Sequence, residues 1–100
     1  MRMPVSEKNI DRSALKRFIK QNADLWWHIP EEKKQNLPVE IILEYVLNYG
    51  NEKIINRLFK IISIQEAAKI FFAQTTNRKR VNYHPRTLNY FTLYFKKHAS

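Results

Sequence analysis

Apolar side chains recur along this chain at intervals of three and four residues, the spacing of helices that each turn one face to a core. The first stripe is Leu15, Phe18 and Ile19, with Lys16, Arg17 and Lys20 outside it and Asp11 placed to cap its start. The pattern ends this helix near Asn22. Asp24 then suits the cap of a short turn through Leu25, Trp26, Trp27 and His28, which Pro30 stops. EEKKQNL reads as a polar connector. Pro38 fits the first position of the next helix, where its missing N–H has no partner to lose. Ile41, Ile42, Tyr45, Val46 and Tyr49 form that helix's inward set, Glu40 and Glu44 lie opposite, and Gly50 suits the left-handed residue after its end.

Asn51 caps a third long helix, whose stripe is Ile54, Ile55, Leu58, Phe59 and Ile62. Ser63 to Glu66 reads S-x-x-E, a capping box in which each side chain satisfies the other residue's backbone N–H. It opens a helix through Ala67, Ala68, Ile70, Phe71 and Phe72 to about Gln74. TTNRKRVNY is a further connector. The final helix is predicted from Pro85 to about His98, with Leu88, Phe91 and Phe95 inward and Lys96, Lys97 and His98 in its last turn, where cations suit the helix dipole. The fold class is therefore all-α: a compact bundle of about five helices, with residues 1–10 as a flexible N-terminus and residues 11–100 as a single helical domain. A single glycine in 100 residues, against a usual frequency of about 7%, also disfavours an all-β chain rich in tight turns.

Composition narrows the chemistry. There is no cysteine, which excludes disulfides and thiolate metal sites and makes the cytoplasm the expected compartment. No apolar run approaches the ~20 residues that span a bilayer, and the first ten residues lack the apolar core of a signal peptide. One glycine cannot build a phosphate-binding loop or a nucleophile elbow, and His28, His84 and His98 are too far apart in sequence for a metal motif. Glu40 and Glu44, one turn apart, read as a solvated face more readily than as an acid/base pair. No motif argues for an enzyme, a metal or a cofactor.

Charge carries the functional signal. Residues 1–50 hold 8 Lys/Arg against 7 Asp/Glu, whereas residues 51–100 hold 10 against 2, and no acid follows Glu66. The acid-free stretch interleaves cations with aromatic rings, and this calls for an anionic partner, either an acidic protein surface or a nucleic acid. The candidate contact residues are Arg78, Lys79, Arg80, Tyr83, His84 and Arg86 in and after the last connector, and Asn89, Tyr90, Tyr94 and Lys97 on the outward side of the last helix. Trp26 joins them, because two adjacent indoles diverge by about 100° on a helix and one of the pair is expected at the surface. Arg and Tyr serve phosphate contact and base stacking, and they are equally the residues that anchor protein interfaces. Residues 39–61, with Gly50 in the turn, loosely imitate a helix-turn-helix in which Asn56 and Arg57 would read bases.

Three short motifs carry a resemblance: Leu25-Trp26-Trp27-His28, then Ile41-Ile42 leading to Val46-Leu47-Asn48-Tyr49-Gly50, and Pro85-Arg86-Thr87-Leu88-Asn89-Tyr90-Phe91. Together they resemble a small family of uncharacterised prokaryotic proteins with an L-[FW]-W segment, a V-L-x-Y-G helix end and a P-x-T-x-N-[FY] helix. The third residue after Leu25 departs from the pattern, being His28 where that family tends to have Asp. The resemblance implies a gene beside an AbiEii-type nucleotidyltransferase toxin, and hence an antitoxin that binds that protein. It implies no catalytic residues and leaves the oligomeric state open.

Overall fold

The structure, a computed structural model, describes residues 11–27, 29–34, 36–76 and 81–99. Among them are helices α1 (Arg12–Gln21), α2 (Glu31–Lys34), α3 (Val39–Tyr49), α4 (Glu52–Ile62), α5 (Ile64–Thr75) and α6 (Pro85–His98), with a 3-10 turn at Ala23–Trp26 and no strand. The chain is an all-α bundle around one core. The five long helices stand where periodicity predicts them, and α2 is a single turn inside the segment expected to be a connector. Residues 1–10, His28 and Arg78–Arg80 lie outside the described residues.

Helix starts follow from local chemistry. Asp11 accepts the Ala14 N–H at 3.1 Å, Asn51 the Ile54 N–H at 2.9 Å, and Ser63 the Glu66 N–H at 3.1 Å. Each of these bonds satisfies a donor that the first turn of a helix leaves without a partner. Pro38 is the cap of α3 rather than its first residue: it is extended (φ −61°, ψ 147°), and its carbonyl accepts from Ile42. Asp24 caps nothing. Asn22 precedes the 3-10 turn, and its own side-chain amide turns back to the Phe18 carbonyl.

The capping box is only half formed. The Ser63 N–H already donates to Phe59 at 2.9 Å, because Ser63 ends α4 as well as starting α5, so the Glu66 carboxylate has no donor to reach there. Glu66 is buried instead. One carboxylate oxygen lies 3.7 Å from Lys69 Nζ, and the other has no hydrogen-bond partner among the described residues. Serving two helices also holds Ser63 at φ 68°, ψ 155°, a region that glycine favours and other residues occupy under strain.

Gly50 departs from expectation in the opposite sense. It is extended (φ −80°, ψ 166°) and not left-handed, since a single residue separates α3 from the cap of α4 and the chain must run straight into extended Asn51. What demands glycine is space. A Cβ there would lie 2.6 Å from the Val46 carbonyl oxygen, against which the Gly50 N–H is also hydrogen-bonded. Gly50→Ala and Gly50→Asn are therefore expected to cost similar amounts, about 2 kcal/mol each in urea unfolding. A left-handed position would tolerate asparagine far better than alanine, so a Gly50→Asn variant of wild-type stability would overturn the steric account.

Helix α3 is the centre of the bundle, packing on the 3-10 turn, α4 and α5. Its apolar arc is accordingly wider than one stripe. Val39, Ile42, Leu43, Val46 and Leu47 are buried, Ile41 and Tyr45 are half-buried, and Tyr49, expected inside, is exposed. Leu15, Phe18 and Ile19 of α1, Leu58, Phe59 and Ile62 of α4, Ala67, Ala68, Ile70 and Phe71 of α5, and Phe91 and Phe95 of α6 share the core with Trp26, Leu37 and Tyr83 from the segments between helices. Among the described residues, no helix is long and apolar enough to cross a membrane.

Candidate functional site

Helix α6 begins on a hydrogen-bonded platform. The side chain of Asn48 donates to the Asn82 carbonyl at 3.0 Å and accepts the His84 N–H at 3.1 Å, tying the approach to α6 onto α3. Gln74 of α5 donates to the Glu40 carbonyl and to the Glu44 carboxylate, which also accepts from Asn82. Glu44 thus has a structural place as the acceptor of two amides, and only Glu40 stays on a solvated face as expected. No group of three or more His, Asp or Glu side chains that could hold a metal ion occurs among the described residues.

Two of the sequence-derived contact residues prove to be core. Tyr83 is buried, with its ring 4.9 Å from that of Phe71 and its hydroxyl donating to Gln74 Oε1 at 2.6 Å. Burial pushes its phenol pKa far above the ordinary tyrosine value, and the negative charge of Glu44 pushes it further the same way. Trp26 is fully buried, its indole N–H donating to the Ile19 carbonyl at 3.1 Å and its ring 5.6 Å from Tyr45. Divergence of the two indoles holds, with the roles assigned: Trp27 is the surface one, 79% exposed. Neither Tyr83 nor Trp26 can meet a partner in this fold.

The outward side of α6 remains. Arg86, Tyr90, Leu93 and Lys97 recur at i, i+4, i+7 and i+11, which places them in one row along the helix. Tyr90 is 58% exposed and Leu93 63%, so the middle of the row is apolar and its two ends are cationic. Asn89 is exposed beside it. Tyr94 is half-buried: it stacks on Tyr90 (centroids 6.0 Å, planes 21° apart) and on Phe59 of α4 (6.1 Å, 25°), and it approaches His98 at 4.6 Å. At the other end of the helix, exposed His84 meets the edge of exposed Tyr49 at 5.2 Å.

Between α4 and α6 runs a groove of about 360 Å³, lined by Glu52, Ile55 and Asn56 on one wall and by Tyr90, Phe91 and Tyr94 on the other. Periodicity within α6 marks its tyrosines as outward-looking. The pairing of these tyrosines with a wall of α4 is not readable locally, because nothing in the sequence says which helix lies beside α6. Of the two imagined base readers, Asn56 lines the groove, while Arg57 is exposed on α4 and does not.

Comparison with known proteins gives no guidance here, for no family model, no curated protein and no solved structure matches this chain.

Proposed function

We propose that this chain is a non-enzymatic, antitoxin-like helical protein that binds a partner protein, a nucleotidyltransferase-like toxin, through the exposed side of α6. The observation that carries this reading is the row Arg86, Tyr90, Leu93, Lys97, an apolar centre between cationic ends. Protein interfaces are built this way, with aromatic and aliphatic anchors desolvated at the middle and charges on the rim. The net charge of +9 would speed encounter with an acidic surface, while the anchors would set the lifetime of the complex. The nature of the partner rests on the sequence resemblance. Arg78, Lys79 and Arg80 extend the same basic character toward Arg86 along the chain.

Co-expression with an AbiEii-type nucleotidyltransferase tests the reading. The wild-type chain is expected to co-purify, and a Arg86→Ala, Tyr90→Ala, Leu93→Ala, Lys97→Ala variant is expected to bind at least about a hundredfold more weakly, the loss of roughly two interface anchors. All four residues are exposed, so the helical circular dichroism should not change. Undiminished capture by the variant would remove α6 from the interface, and no capture by the wild type would remove the toxin. A nucleic-acid partner is the competing reading, carried by the stacked Tyr90–Tyr94 pair beside these cations. It requires affinity that falls steeply with salt, with a log–log slope of roughly −0.9 per neutralised phosphate on duplex DNA.

A further inference from the structure

We infer that the groove between α4 and α6 receives an acidic amphipathic helix of the partner protein, an inference that rests on the proposed reading of α6 as the partner-facing surface. Shape comes first. Helix α6 packs mainly on α5, and at depth Phe59 bridges it to α4 through Tyr94 and Phe95 (6.1 and 5.8 Å). Above that bridge the two helices leave the groove open, with Ile55, Phe91 and the stacked Tyr90–Tyr94 pair as apolar wall. From Arg86 to Lys97 the row is about 16 Å long at 1.5 Å per residue, which matches roughly three turns of an incoming helix. Leu93 stands on the same row as Tyr90 and extends the apolar strip outward.

Charge then selects the occupant. On α4, Lys53, Asn56 and Lys60 share one side at i, i+3 and i+7, and Asn56 lines the groove, so Lys53 and Lys60 flank it on that wall. Arg86 and Lys97 flank it on the other. Four exposed cations thus border an apolar strip whose lining includes one acid, Glu52. A helix with a leucine-like stripe and glutamates on both shoulders satisfies the strip and both rims together. A second copy of this chain would set like charge against like. A nucleic acid would meet cations at the margins and an apolar centre where its backbone needs charge.

The probe is an N-acetylated peptide of about 18 residues, long enough to lie along the whole row, with Leu at i, i+3, i+4 and i+7 and Glu on both flanks. It carries a fluorescein for anisotropy titration against the full chain, and unlabelled peptide is followed by amide chemical shifts. Binding is expected, with shifts concentrated at Ile55, Asn56 and Tyr90 to Tyr94. Tyr90→Ala and Leu93→Ala should each weaken it about tenfold. The variant Lys53→Glu, Lys60→Glu should lose the peptide and bind a counterpart with Lys in place of Glu on one flank only, since Arg86 and Lys97 keep the other rim cationic, a recovery that a merely misfolded variant cannot give. Equal binding of a scrambled peptide of the same composition would reduce the site to bulk charge and overturn the inference, as would shifts elsewhere or no binding. Tighter binding of a short DNA duplex on the same residues would assign the groove to nucleic acid, and self-association abolished by Leu93→Ala would assign it to a second copy; either overturns the acidic helix. If the toxin is captured through α6 while the peptide fails, the groove is wrong and the proposed function stands. If the peptide binds and the toxin does not, the partner is wrong and the groove stands.

Discussion

Trp26→Ala is expected to destabilise the chain by about 4 kcal/mol, while Trp27→Ala one residue away should change stability by no more than about 0.5 kcal/mol. Trp26 is among the largest fully buried side chains, and its loss empties the contact with Tyr45 and leaves the Ile19 carbonyl without its indole donor. A domain of this size has a total stability of about 5–15 kcal/mol, so the variant approaches the unfolding threshold. In thermal melts the midpoint should fall by roughly 20 °C, at about 4–8 °C per kcal/mol. Fluorescence gives a second readout: the Trp27→Ala protein retains the buried indole and should emit to the blue of the wild type. If the two variants exchanged behaviours, the assignment of the pair would be reversed.

That pair shows where sequence reading stops. Helical divergence requires one inward and one outward indole, yet the choice between them depends on where the 3-10 turn docks against α1 and α3, a tertiary fact. Caps were legible at Asp11, Asn51 and Ser63, because a side-chain oxygen bonding a backbone N–H three residues on is a local event. Local rules misled where one residue serves two helices. Ser63 spends its N–H on α4 and cannot complete the box, and Gly50 is squeezed between α3 and the cap of α4. The candidate site divided the same way. The outward row of α6 follows from its own periodicity, whereas burial of Tyr83 follows from Phe71 and Gln74, nine and more residues away. On α4 the sequence offered Asn56 only as a base reader; that it forms a wall of a groove with α6 depends on which helix packs alongside.

Tyr83→Phe should reverse its effect between neutral and alkaline pH. At pH 7 the phenol is protonated in both folded and unfolded chains, and the variant loses only the hydrogen bond to Gln74, worth about 1 kcal/mol. Above pH 10, the ordinary tyrosine value, the unfolded wild-type chain releases this proton. The folded chain holds it, because burial and then the Glu44 carboxylate oppose a phenolate at this place. The unfolded state then binds fewer protons than the native one, so stability falls as pH rises. The stabilising contribution is complete below pH 10 and is lost at about 1.4 kcal/mol per pH unit on the way up to the raised folded pKa. By pH 11.5 the wild type should have lost about 2 kcal/mol that the variant cannot lose. Titration of the lysines and the other tyrosines is common to both proteins and cancels in the difference. Urea unfolding of the pair at several pH values should therefore show the wild type more stable below pH 10 and Tyr83→Phe more stable by pH 11.5. Stability curves that stay parallel throughout would mean that the Tyr83 hydroxyl ionises freely, and that the platform under α6 does not hold it.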